Sequence, residues 1–188
     1  MNINKVIVFG GYGLQTITGN IYQLLVKRNF KKYGDNNQII GIPFISGIEK
    51  IEIGSHTTIE SNAFIRAEGG LTIGSHCSIA ANLSIYTYNH NFTGEMLPYD
   101  HTNIYRKVVI GDNVWIGRNV SILPGVTIGE GAIIGLGSVV TKDIPDLAIV
   151  AGNPAKIVKY REHQLYHDLK SKKAFFKLKS LMNYLLGK

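Results

Sequence analysis

An aliphatic residue recurs at every sixth position over most of this chain, and that period restricts the fold more than any other feature of its 188 residues. One series runs Ile53, Ile59, Ile65, then Ile73, Ile79, Ile85; a second runs Ile110, Ile116, Ile122, Ile128, Ile134, Val140. A two-residue insertion separates Ile65 from Ile73. Such fixed-period self-similarity marks a repeat architecture, in which each unit buries its apolar side against its neighbours. Four residues after most anchors stands a small or aliphatic residue (Thr57, Ala63, Cys77, Val114, Val120, Val126, Ala132, Ser138), which suits a second, narrower inward slot. Three residues after the anchors come His56, Asn62, Glu68, His76, Asn82, Tyr88, Asn113, Asn119, Gly125, Gly131, Gly137 and Asp143. Gly, Asn, Asp and His tolerate positive φ best, so this column predicts sharp corners between short strands.

Three units per coil predict an all-β solenoid of triangular section. Complete coils fall at 53–70, 73–90, 110–127 and 128–145, with Ile39 and Ile45 marking a partial coil before them. At about 4.8 Å between stacked strands, the prism is roughly 20 Å tall. The solenoid is assigned to 39–158. Residues 1–38 are read as an extended piece leading into an amphipathic helix over 16–33, with Ile17, Ile21, Leu24 and Leu25 packing over the first coil. Residues 159–188 form a basic tail. Within it, 162–186 is read as one or two helices carrying Leu165, Leu169, Phe175, Phe176, Leu178, Leu181, Met182 and Leu185, expected to cap the last coil and cover its strand edge.

The repeat breaks once. From Ile85 to Ile110 the step is 25, so a loop over 91–107 is extruded from one corner. Short corners have no packing need for such an excursion, and long loops on rigid scaffolds carry function. His90 stands at its root. Neutral imidazole, with an ordinary pKa near 6.5, can take a proton from a hydroxyl near neutral pH.

The stretches IAANLSIYTYNH, VVIGDNVWIGRNVSILPGVTIGEGAIIGLGSVVTKDIP and AGNPAKIVKYR, between Ile79 and Arg161, resemble the hexapeptide-repeat acetyltransferases, especially the maltose and galactoside O-acetyltransferase branch. The resemblance implies a left-handed parallel β-helix, with the N-terminal helix and C-terminal helical extension added to it. It further implies a homotrimer, acetyl-CoA in the groove between subunits, and acetyl transfer to a sugar hydroxyl in saccharide or surface-polysaccharide modification. Carried over by position, His90 is the base that deprotonates the acceptor for direct attack on the thioester, so no Ser or Cys nucleophile is required. Glu68, Asn62 and Asn89 are implied acceptor contacts, although Asn62 has a sufficient structural reason to stand in the corner column.

For the cofactor, the resemblance implies Trp115 as a flat wall for the pantetheine arm, with Gly117, Arg118, Gly135 and Leu136 beside it. Thr141, Lys142, Lys156 and Lys159 match phosphate-end positions. Two of those positions are commonly Arg in relatives and are Lys here, point charges in place of forks. Arg118 and Leu136 stand where small residues are common. No metal is required by this chemistry.

Charge narrows the alternatives. Residues 156–188 hold nine Lys/Arg and two Asp/Glu, which accounts for the whole net charge of +7 and leaves 11 of each sign in 1–155. The basic character therefore belongs to the tail and not to a nucleic-acid-binding face. A basic amphipathic tail can lie on an anionic membrane, so peripheral contact there is an expectation. One cysteine, no leader pattern and no apolar run approaching the roughly 18 to 20 residues of a spanning helix predict a cytoplasmic protein. Gly11 and Gly13 follow an apolar run, but Thr16 stands where the third glycine of a dinucleotide fingerprint would be. Two rivals remain open. His56 and His76 share a corner, as in a zinc-dependent carbonic anhydrase-like β-helix, though a third imidazole in register is missing; the other rival is a non-catalytic solenoid scaffold.

Overall fold

The computed structural model describes residues 3–176, and side chains from residue 13 onward. Helix α1 (Ile3–Val26) leads through a short 3-10 turn into the first coil, β1 (Lys32–Tyr33), β2 (Gln38–Ile39) and β3 (Phe44–Ser46). The second coil is β4 (Ile51–Ile53), β5 (Thr58–Ile59) and β6 (Phe64–Arg66); the third is β7 (Leu71–Ile73), β8 (Ser78–Ile79) and β9 (Ser84–Tyr86). A hairpin, β10 (Tyr88–His90) and β11 (Asn103–Tyr105), leaves the corner after β9. The fourth coil is β12 (Val108–Ile110), β13 (Trp115–Ile116) and β14 (Ser121–Ile122), and the fifth is β15 (Thr127–Ile128), β16 (Ile133–Ile134) and β17 (Val139–Val140). The chain closes with β18 (Ala148–Ala151), β19 (Lys156–Tyr160) and α2 (His163–Ser171).

Stacking these coils gives three parallel faces, ordered β1-β4-β7-β12-β15, β2-β5-β8-β13-β16-β18 and β3-β6-β9-β14-β17. The register pairs each anchor with the next, for example Ile79 with Ile116 and Ile116 with Ile134. All twelve anchors of the two series are buried, as are all eight residues of the narrower slot. Each buried aliphatic side chain contributes roughly 1.5–3 kcal/mol, so three aliphatic columns, one behind each face, hold the prism together.

The corners follow the expected column with three exceptions. His56, Asn62, His76, Asn82, Asn113, Asn119, Gly125, Gly131 and Gly137 all have φ between 57° and 88°. Asparagine gains further by forming a ladder, Asn62 Nδ2 to Asn82 Oδ1 at 3.2 Å and Asn82 Nδ2 to Asn119 Oδ1 at 2.7 Å. Glu68, Tyr88 and Asp143 do not adopt positive φ; all three lie on the corner where the regular step is altered. The two-residue insertion moves the turn to Gly70, at φ 98°. Tyr88 begins the hairpin, and Asp143 instead accepts a hydrogen bond from the Thr127 amide at 2.7 Å.

Helix α1 starts and ends earlier than the expected 16–33, and the solenoid begins at Lys32. Its packing is the reverse of the expectation: Ile17, Ile21, Leu24 and Leu25 are all exposed, and so is Leu14. The side that meets the coil carries Gly19, Gln23 and Val26. A coil edge presents unpaired backbone groups, and apolar side chains cannot satisfy them. Gln23 does so, accepting from the Ile39 amide at 3.1 Å and donating to the Asn37 carbonyl at 3.0 Å, while the Gly41 amide donates to the Gln15 carbonyl at 2.7 Å. A Cβ on Gly19 would lie 1.9 Å from the Ile39 carbonyl oxygen. Gly19→Val is therefore expected to lift α1 from the solenoid, at a cost of roughly 1–3 kcal/mol; amide exchange over 15–26 should rise to match. Unchanged protection there would refute this packing.

At the other end the strand edge is covered by β19, which turns back antiparallel on β18, and not by the tail helix. α2 lies instead along the corner of Asn113 and Gly131. Leu165 and Leu169, expected to cap the last coil, are exposed. Tyr166 makes the contact in their place, its hydroxyl donating to Glu130 at 2.8 Å and accepting from Asn113 at 3.1 Å. Phe175 stacks on His76, ring centroids 3.9 Å apart. Leu178, Leu181, Met182 and Leu185 lie outside the described residues.

Candidate active site

The hairpin at 88–105 aligns its residues through an antiparallel register: Tyr88 faces Tyr105, Asn89 faces Ile104 and His90 faces Asn103. His90 is held between rings. Its imidazole stacks on Tyr99 at 4.0 Å with an interplanar angle of 7°, and meets Tyr88 edge-on at 6.3 Å. Asn89 is exposed, and its Oδ1 accepts from the His90 amide at 3.0 Å. Across the ladder, Asn103 Oδ1 is buried with no partner among the described residues. The turn between the strands is pinned by Asn91 and Asp100. Asn91 Oδ1 accepts from the Thr93 amide and hydroxyl, and Asp100 Oδ1 accepts both from Thr102. An exposed imidazole on a tied hairpin can receive a proton from a docked hydroxyl.

Glu68 stands one coil earlier on the same corner. Its Oε1 accepts from Ser46 Oγ at 2.8 Å and from Arg66 Nε at 3.1 Å, and Arg66 in turn lies 5.0 Å from the Tyr88 ring. Lys50 Nζ donates to the Glu68 carbonyl at 2.8 Å and sits over Tyr105 at 5.9 Å. Burial alone would raise the Glu68 carboxyl, but hydrogen bonds from its own backbone, Ser46 and Arg66 outweigh it and hold it below the ordinary carboxylate range. Glu68 is thus ionised at neutral pH. Its second oxygen, Oε2, is buried and unpartnered among the described residues. Ser46, Lys50, Arg66 and Tyr88 were absent from the sequence-derived set. The available signal was the 20-residue stagger between neighbouring coils, which brings Ser46 beside Arg66.

The residues expected at the cofactor occupy a different part of the prism. Trp115 lies in one row with Ile133, Ile149 and Lys159 across the second face. Lys156 pairs with Ala151 on the same sheet. At the corner beyond, Gly117 donates to the Ile134 carbonyl and Gly135 to the Val150 carbonyl, both in close stacks. A Cβ on Gly117 would come within 2.6 Å of the Leu136 amide nitrogen. Trp115 and Leu136 are exposed by 54% and 78%, with Arg118, Lys156 and Lys159 exposed around them. A flat apolar strip ending in two ammonium groups fits a thin ligand arm with phosphates at its end.

Thr141 and Lys142 lie apart from this strip, at the corner after β17, which is also the corner of Glu68 and the hairpin. Asn62 lies on the corner of Gly117 but is engaged in the asparagine ladder. One chain therefore separates His90, Asn89 and Glu68 from Trp115, Gly117, Leu136, Lys156 and Lys159 by the width of the third face.

Other chemistry finds little support in the geometry. Cys77 is buried, and that burial pushes its thiol up to about 11, which removes it as a nucleophile. His56 and His76 stack face to face, centroids 4.9 Å apart and 2° from parallel, and no group of three or more His, Cys, Asp or Glu able to hold a metal occurs among the described residues.

Comparisons with known proteins agree with the repeat. The family model described as bacterial transferase hexapeptide (six repeats) matches residues 107–142, and that for the hexapeptide repeat of succinyl-transferase matches 50–87. The galactoside O-acetyltransferase of Escherichia coli is 35% identical over 72% of this chain and 66% of its own length. The polysialic acid O-acetyltransferase of the same species is 36% identical over 66% of this chain, and the match spans 41% of that relative. Among solved structures, a hexapeptide-repeat-containing acetyltransferase from Vibrio cholerae, complexed with acetyl coenzyme A, is 32% identical. It superposes with a TM-score of 0.65, covering 74% of this chain and 76% of that one.

Proposed function

This chain belongs to the hexapeptide-repeat acetyltransferases, and from that premise we propose that it transfers the acetyl group of acetyl-CoA to a sugar hydroxyl, with His90 as the general base. The observation that carries the reading is the exposed imidazole stacked on Tyr99, one coil beyond an ionised Glu68 on the same corner. The Glu68 carboxylate accepts one acceptor hydroxyl and fixes the sugar. His90 takes the proton of a second hydroxyl as its oxygen attacks the thioester carbonyl carbon. The carbon–sulfur bond breaks, the acetyl ester forms, and the sulfur leaves to be protonated as coenzyme A thiol. Relatives named for galactosides and polysialic acid support a saccharide as acceptor.

Trp115, Gly117, Arg118, Gly135 and Leu136 bind the pantetheine arm, and Lys156 and Lys159 the phosphates. Since one chain holds this set away from His90, the reading includes a homotrimer in which the base of one subunit works on acetyl-CoA lying against the next. Thr141 and Lys142 then serve the cofactor from the neighbouring side of that groove. It also places the protein in the cytoplasm at the inner face of the membrane, where the basic tail would meet lipid-linked or polymeric saccharide.

The test is release of free thiol from acetyl-CoA in the presence of free, nucleotide-linked and polymeric sugars. Acceptor-dependent release is expected with at least one of them. Release no faster than acetyl-CoA hydrolysis across the whole panel would overturn the proposal.

A further inference from the structure

The apolar side of α1 faces away from the molecule. Leu14, Ile17, Ile21, Leu24 and Leu25 are exposed by 54% to 75%. At about 100° per residue they form one continuous arc roughly 100° wide, opposite the row of Gly19, Gln23 and Val26 that meets the first coil. That inner row is satisfied by its hydrogen bonds to Asn37 and Ile39. The outer arc is therefore not a core face loosely packed.

Its surroundings identify the occupant. From Val6 to Val26 the chain has no charged residue, and the stretch is bounded by Lys5 on one side and by Lys27, Arg28, Lys31 and Lys32 on the other. Lys27, Arg28, Lys31 and Lys32 are all exposed, and Lys31 pairs with Glu52 at 2.7 Å. An apolar arc with cations at its ends matches a helix lying in the plane of an anionic bilayer, side chains in the acyl boundary and cations on the phosphates. No helix among the described residues is long and apolar enough to cross a membrane, and the protein itself occupies one side of α1. A second copy fits less well, because paired helices place opposite charges along their seam and α1 contains no Asp or Glu.

We propose that the outer face of α1 docks this protein on a bilayer containing anionic lipid. The contact is independent of the acetyl-transfer reading and of the C-terminal tail. The full chain is to be co-sedimented with vesicles of phosphatidylcholine containing phosphatidylglycerol, and with vesicles of phosphatidylcholine alone. Binding is expected to the first and to be weaker on the second.

Ile17→Glu with Ile21→Glu should weaken partitioning about tenfold or more, as should Leu25→Glu alone. Unchanged circular dichroism and oligomeric state would show both variants folded. Lys177→Glu with Lys179→Glu should weaken binding less than the α1 variants do. Several outcomes would overturn the proposal: no binding of the full chain to either vesicle, undiminished binding by the folded α1 variants, or loss confined to the tail variant. If the α1 variants dissociate an oligomer while still binding vesicles, the face belongs to a second copy.

Discussion

His90→Ala is expected to lower kcat for acetyl transfer by roughly 10²–10⁴-fold, the usual contribution of a positioned general base. KM for acetyl-CoA should stay within about twofold, because His90 acts on the acceptor hydroxyl and is not among the residues that hold the cofactor. The substitution removes an exposed ring from a hairpin that is held by its own ladder and by the Asn91 and Asp100 turns. Folding should therefore be intact, and a matched thermal transition is the control. Steady-state kinetics with the best acceptor decide the matter. Full turnover by the folded variant would remove His90 from the mechanism and leave Glu68 as the alternative base.

The largest effect on stability should come from the middle of the second face's isoleucine column. Ile116 is fully buried between Ile79 and Ile134. Ile116→Ala deletes side-chain contacts on both neighbouring coils, and a rigid hydrogen-bonded stack cannot close over the gap. The cost should be about 2–5 kcal/mol. Leu136→Ala, on the next coil but exposed by 78%, should change stability by less than about 0.5 kcal/mol. Urea unfolding of the two variants side by side measures the contrast, and similar midpoints would show that the column does not govern stability.

The solenoid was legible because its period is enforced at every turn. An anchor shifted by one residue would point outward, so the pattern survives even where individual residues are unremarkable. The asparagine corners were legible for the same reason, as few other side chains accept positive φ. The hairpin bearing His90 could be found from the broken step alone. Its partners could not: Arg66 sits in the outward slot beside Ile65 and looks in sequence like any solvated charge. Glu68 is its neighbour along the chain, but only the stacking of coils brings it against Tyr88.

Helix α1 misled for a more general reason. Apolar side chains at helical spacing are ordinarily assigned to the protein interior, but this helix meets a strand edge, where hydrogen-bonding groups are what the interface requires. Gln23 and Gly19 meet that requirement. Neither stands out in a hydrophobic pattern. The assignment of acetyl-CoA and of the base came from resemblance to relatives, and spacing alone would have stopped at an exposed histidine on a rigid frame.

The Gln23 side chain has one further consequence. A parallel stack whose coils are nearly identical has no inherent length; its last rung is a template for another, and two molecules could join end to end into a fibre. By presenting an amide of its own to Ile39 and Asn37, Gln23 imitates the rung that would otherwise come from a second molecule. β19 does the same at the opposite end by reversing direction. Loss of Gln23 should therefore be felt less as weaker folding than as a concentration-dependent tendency to polymerise, in a protein that otherwise remains intact.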